Sequence, residues 1–376
     1  MIAWAGLACG VALLGLTAAS VITTFLIPRA TRTRLNDLLA AAVNRFFWLL
    51  TARIDDLARR ERVLAAGPPA FLLGLLGTWL ACLLLGFALV LWPLAGGFPA
   101  ALRESGSALF TLGFAVPAAP GSVAVVFVAA ASGLAVLALL ISYLPLLYAA
   151  YNRRETLVAM LEALAGAPPW GPELLARQAL IDNSETLPGL YARWTEWAAD
   201  LSESHVSYRT LVYFRSPDPA TSWLLSLLAV LDAAALHLAL NPGSAPYEAR
   251  PLLRVGYLTL RKLARNLGMA VPGDPSPGDP IELTRAEFDE AVRWLRDAGW
   301  RAERSADDAW PHFHGWRVNY ESAAYQLARH LDLPPALWSG PRRPGRLAAA
   351  PPKRPEDRRP PGGSPPGPGG PGGTGR

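Results

Sequence analysis

The stretch FPAALRESGSALFTLGFAVP, residues 98–117, lies between two long apolar runs, residues 71–92 and 123–150, neither of which contains a charged side chain. A third uncharged apolar run covers residues 2–27. Each exceeds the roughly 20 residues that a helix rising about 1.5 Å per residue needs to cross ~30 Å of hydrocarbon. The sequence therefore predicts an all-α membrane protein with three transmembrane helices, in which residues 98–117 connect the second to the third. The first run has no Lys or Arg before it and is longer than a secretory h-region, so it reads as a retained anchor in preference to a cleaved signal peptide.

Composition agrees. The chain has 376 residues, 52% of them hydrophobic and only 17% charged, which is membrane-protein composition with room for a second domain. Its two cysteines, Cys9 and Cys82, lie inside apolar runs and give neither a disulfide framework nor a zinc site.

Basic residues orient the spans. Residues 28–69 carry eight arginines against four acids, whereas the connection between the second and third runs carries only Arg103 and Glu104. The positive-inside rule places 28–69 in the cytoplasm, so the 98–117 connection opens outward and everything after Arg153 returns to the cytoplasm. Within 28–69, Leu35, Leu38, Leu39, Ala42, Phe46, Leu49 and Leu50 recur at helical spacing with Asp37, Arg45 and Arg53 between them. This predicts an amphipathic helix lying on the inner membrane surface or packing on the spans.

The connection itself has internal order. Residues 99–110 suit a short helix, whose C-terminal end attracts cations through its dipole. Thr111, Leu112, Gly113 and Phe114 follow, and Gly113 supplies the backbone freedom that a tight extended turn demands. The order of apolar helix, short helix, T-L-G-F and apolar helix resembles the pore-loop potassium channel family over about residues 70–150. In that family a T-V-G-Y-G segment presents backbone carbonyls that replace the ion's hydration shell.

The resemblance implies that Thr111, Leu112, Gly113, Phe114 and Ala115 form the selectivity filter and ion path, with Gly133 and Pro145 as hinge and gate and residues 151–164 coupling to the soluble domain. It further implies a homotetramer, since each chain supplies one loop. The permeant species would be a monovalent cation, potassium first, with no cofactor and no metal site. Two departures stand out: Ala115 replaces the last filter glycine, and Val116 and Pro117 follow where an acidic residue is usual. They point to a less selective cation pore or to a non-conducting relative that kept the architecture.

The domain plan follows: residues 1–28, an N-terminal transmembrane helix; 29–69, the cytoplasmic amphipathic helix; 70–150, the pore module; 151–340, a helical cytoplasmic domain; and 341–376, a disordered Pro/Gly/Arg-rich tail. The tail carries eight Lys or Arg against Glu356 and Asp357, and reads as a solubilising linker or as a polybasic segment touching anionic lipid. Apolar spacing near 3.6 predicts cytoplasmic helices over 153–164, 172–181, 187–204, 219–240, 247–267, 285–298 and 306–331, with a capping box at Thr284 and Glu287. Residues 223–240 are apolar enough to be a fourth span. Asp232 and His237 within them, and Arg250, Arg254, Arg261, Lys262 and Arg265 beyond them, favour a buried cytoplasmic core helix.

Catalytic patterns are absent. The sequence has no GxGxxG in a strand–turn–helix setting, P-loop, HExxH, GxSxG or CxxC, so the expectation is a protein that is not an enzyme and does not bind nucleic acid. Asp308, His312 and His314 form the densest polar group, but Trp310, Phe313 and Trp316 beside them favour packing over metal binding, and His205 and His237 stand alone. The rival to a channel is a membrane-anchored interaction or signalling protein whose helical domain binds a partner. Neither reading identifies the ligand or protein partner of the cytoplasmic domain.

Overall fold

The computed structural model describes residues 2–25, 34–117, 119–181, 184–218, 220–333 and 336–339, and among these the chain is helical with no strand. The 341–376 tail, and Pro219 at the start of one expected helix, lie outside the described residues. The chain divides into two compact units, residues 1–153 with 204–215 and residues 154–203 with 216–376.

The first unit is built on α1 (Ile2–Phe25), α2 (Arg34–Thr51), α3 (Leu57–Ala65), α4 (Gly67–Leu91), α5 (Phe98–Leu109) and the first part of α6 (Pro120–Ala165). Helices α1 and α4 meet along a seam of small residues. A Cβ on Gly10 would lie 2.8 Å from the Gly86 carbonyl oxygen, and one on Gly86 would lie 2.7 Å from the Leu14 side chain. Such close approach maximises dispersion contact where water supplies no driving force between apolar helices. One polar chain crosses the seam: Trp79 Nε1 donates to Ser20 Oγ at 3.1 Å, Ser20 Oγ to Asn36 Oδ1 at 3.3 Å, and Asn36 Nδ2 to Thr24 Oγ1 at 3.0 Å. It ties α2 to both helices and satisfies the fully buried indole of Trp79.

The amphipathic helix read from the Leu35 to Leu50 spacing is α2, and the 29–69 segment holds a second helix, α3, beyond it. Asp56 ends the break between them by accepting from the Ala58 amide at 3.0 Å and capping α3. On α2, Leu39 packs on the α4 core, while Leu38, Phe46, Leu49 and Leu50 are exposed. Segment 204–215 also departs from the expected plan, because it belongs with the first unit. Its Leu211 and Phe214 pack with Leu72, Tyr143, Leu147 and Ala150, Tyr151 donates to the Arg215 carbonyl, and Arg215 pairs with Glu61 at 3.2 Å.

Among the described residues, four helical stretches are long and apolar enough to cross a membrane. In the apolar windows of α1, of the stretch ending with α4, and of α6, only 22, 33 and 22% is buried. The fourth, α9 (Trp223–Leu240), is wholly buried. Long apolar helices with most of their surface uncovered fit a membrane protein.

In the second unit α9 is packed by α7 (Gly171–Leu180), α10 (Ala249–Asn266), α12 (Ala306–Arg317) and α13 (Glu321–His330), and α11 (Arg285–Asp297) packs on α7 and α12. Most of α8 (Leu187–Ser207) also belongs here, with Thr259 Oγ1 of α10 donating to the Ala198 carbonyl at 3.1 Å. Each buried leucine of α9 contributes about 1.5–3 kcal/mol of transfer free energy. The capping box is formed as the sequence predicts, with Thr284 and Glu287 each satisfying the other's backbone amide. The one helix expected over 306–331 is instead α12 and α13. The turn between them is held by Arg261, which donates through Nε to the Asn319 carbonyl at 2.9 Å and through Nη2 to Asn319 Oδ1 at 3.0 Å. A carbonyl that a continuous helix would use internally is thereby taken by a side chain.

Candidate functional site

Helix α5 starts after Gly97, carries Pro99 in its first turn where a missing amide is harmless, and doubles back along α4. Its Ala101 packs with Leu91 and Ala95 near the end of α4. Further along, Ser105 Oγ donates to the Leu84 carbonyl at 2.8 Å. Its last residues, Ala108 and Leu109, join a core with Leu75, Trp79, Leu83 and Val136. Leu84 is seven residues before the end of α4, so α5 reaches about 10 Å down that helix.

Gly133 of α6 receives the end of α5. A Cβ there would lie 2.1 Å from the Leu109 carbonyl oxygen, a separation that no side chain can occupy. Gly133 is thirteen residues into α6, or about 20 Å from its start, so α5 ends part-way along both long helices. The residue expected as a hinge thus has a packing role that the sequence did not reveal. Pro145 lies inside α6 on an exposed face, and α6 continues without interruption through it.

The chain leaves α5 through a Schellman turn. The Thr111 amide donates to the Ala108 carbonyl at 3.0 Å and the Leu112 amide to the Ser107 carbonyl at 2.8 Å. Thr111 occupies the left-handed position, φ +56°, that glycine usually fills, and Gly113 follows at φ +72°. Ser107 then gathers the next amides: Gly113 donates to its carbonyl at 3.4 Å, and Ala115 to its hydroxyl at 3.0 Å. Ala115 is not among the described residues with positive φ.

Donors and acceptors are therefore treated differently. Four of the amides between Thr111 and Ala115 are turned inward onto the end of α5, while among the described residues no donor reaches the carbonyls of Thr111, Leu112, Gly113, Phe114 or Ala115. The same segment is open to the outside of the single chain, with Leu112 64% and Phe114 57% exposed. Glu104 is buried on the inner face of α5, and its Oε1 has no hydrogen-bond partner among the described residues.

A second polar cluster lies in the core of the other unit. Arg317, fully buried, pairs through Nη1 with Asp232 and through Nε with Glu321. Its Nη2 donates to the Tyr325 hydroxyl and the Trp338 carbonyl, each at 2.8 Å. Tyr320 donates to the same Asp232 oxygen at 2.8 Å. Burial pushes the Asp232 carboxyl up to about 6 against the pull of Arg317. The guanidinium, which burial alone would lower, is held well above its ordinary value by Asp232, Tyr325 and Glu321. Every donor of Arg317 that is accounted for ends on a residue of the core, so the cluster joins α9, α12 and α13 and presents no open reactive group.

Three of the histidines, His205, His237 and His314, have partners nearby. Asp308 caps α12 with Ser305, His314 Nδ1 donates to the Pro277 carbonyl at 2.8 Å, and among the described residues no three metal-ligating side chains come together. His205 is buried beside Ser204. His237 lies 3.3 Å from the Tyr191 hydroxyl, and burial pushes its imidazole down to about 4, so it is neutral. No protein-family model, curated protein or solved structure matches this chain.

Proposed function

We propose that the chain is one subunit of a tetrameric cation channel, in which α4, α5, the 110–119 segment and α6 form the pore module and Thr111 to Ala115 line the ion path. One observation carries this reading: irregular backbone, with its amides tied to Ser107 and its carbonyls left over, begins part-way down two long apolar helices. Backbone of that kind at membrane depth is tolerated only where protein covers it or water reaches it. Four copies around an axis would supply both, with carbonyls facing a hydrated path and Leu112 and Phe114 covered by neighbours. The three spans are α1, α4 and α6. Helix α9 has no uncovered face to offer lipid and is read as the centre of the soluble unit.

Native mass measurement on the full chain in detergent is expected to give a tetramer, and the reconstituted protein is expected to pass monovalent cations in planar bilayers. A monomer or dimer without current would leave the membrane-anchored interaction protein as the reading. Sidedness is a separate expectation, resting on eight arginines against one across α4. Reporter fusions at Arg62 and Gly340 should report the cytoplasm and a fusion at Arg103 the outside. An external signal at Gly340 would make α9 a fourth span.

A further inference from the structure

The second unit is acidic overall, yet one helix on its surface is the opposite. Residues 154–203 and 216–340 contain 15 Lys or Arg against 23 Asp or Glu, and α10 holds five of those cations without a single acid. Its inner face, Leu252, Leu253, Leu260 and Leu263, is buried in the core. Arg261 is committed inward, to Asn319 and to the Gly273 carbonyl at 2.8 Å. The other four, Arg250, Arg254, Lys262 and Arg265, are exposed, and among the described residues none pairs with a carboxylate. Spacings of four, eight and three residues put them on one stripe. In the middle of that stripe Leu258 is 49% exposed, and Tyr247, just before the helix, is 74% exposed.

We propose that this stripe docks on the surface of an anionic bilayer. Charge complementarity favours that occupant. A row of cations interrupted by an apolar and an aromatic side chain matches the headgroup layer, where phosphates meet the cations, Leu258 reaches the acyl boundary and the tyrosine ring sits at the interface. A surface evolved only for solubility would mix signs, as the rest of this unit does. The chain's own apolar helices keep the stripe near a bilayer, so a modest surface affinity acts at high effective concentration. The inference uses the membrane reading of α1, α4 and α6 but does not need the pore.

The test uses the full-length chain with Cys9 and Cys82 replaced by alanine. An environment-sensitive fluorophore is placed on Leu258→Cys, and the protein is inserted into nanodiscs of phosphatidylcholine with or without phosphatidylglycerol. Phosphatidylglycerol should give a blue shift and quenching by spin-labelled lipid, reversed by salt. Changing Arg250, Arg254, Lys262 and Arg265 together to glutamine should lower the docked-to-undocked ratio tenfold or more. Equal quenching in both discs, or none in either, overturns the proposal. So does a label that stays wet with lipid but is shielded by added polyglutamate, which would assign the stripe to an acidic protein. A label on Val128→Cys, at an exposed position of α6, must be quenched in both discs, and if it is not the membrane reading falls and this proposal with it. Quenching at Leu258 in a protein that passes no current would reject the pore and keep the surface.

Discussion

Arg317→Met is expected to destabilise the second unit by about 3–5 kcal/mol, because it leaves two buried carboxylates facing each other without their cation. Methionine fills much of the volume, so the loss is electrostatic more than steric. Hydrogen exchange of the α9 amides in the full chain reads it as a fall in protection of two orders of magnitude or more, since each tenfold is about 1.4 kcal/mol. The dependence on pH separates this cause from a cavity. The folded Asp232 carboxyl already sits near 6, above its unfolded value, so its contribution to stability is present at low pH and is lost as pH rises through that value. Removing Arg317 raises it further. The gap between wild type and Arg317→Met should therefore be wide at pH 8 and narrow towards pH 5, where the carboxyl takes up a proton. A gap that is the same at both values would mean the arginine acts only through packing. Adding Asp232→Asn to Arg317→Met should recover part of the loss at pH 8, since a neutral amide costs less to bury than an unpaired charge.

That cluster also marks where sequence reading stops. Asp232 is conspicuous in an apolar run and demands a partner, but the partner is 85 residues away and nothing local identifies it. The long apolar helices and the Thr284–Glu287 box were legible because their physics is local: hydropathy over twenty residues, or two side chains three apart. The break at Asn319 was not, because the 3.6-residue rhythm continues through it and the side chain that captures its carbonyl comes from α10. Segment 204–215 fails for a related reason, since Leu211 and Phe214 would look the same in either unit and only their neighbours Tyr143 and Leu147 decide. At the candidate site, T-L-G-F and its flanks could be read directly. The roles of Ser107 and Gly133 depend on how α5 is seated against its own exit segment and against α6.

Gly113→Ala is expected to abolish conduction, and Ala115→Gly to raise the potassium-to-sodium permeability ratio by about tenfold. The two changes act on backbone conformation alone. Gly113 has φ +72°, and a Cβ built there meets nothing within 4 Å in the single chain, so within its own chain the variant carries only the penalty of about 1–2 kcal/mol for placing an L-residue in the left-handed region. The turn already carries one such penalty at Thr111, φ +56°. In the proposed tetramer the new penalty would recur four times in one ring, and the expected result is that the carbonyls leave their shared axis. Ala115 presents the converse case. Its amide is held by Ser107 Oγ at 3.0 Å and it does not adopt positive φ, whereas under the proposed pore reading a glycine there would be free to take the positive φ that turns the outermost carbonyl toward the axis. Glycine at 115 removes the methyl that opposes this flip. One additional coordination site contributing about 1.4 kcal/mol of discrimination is a factor of ten in selectivity. Reversal potentials under bi-ionic conditions measure the ratio, and single-channel amplitude measures conduction. If wild type and both variants share one ratio and one amplitude, Thr111 to Ala115 do not line an ion path and the proposed pore assignment fails.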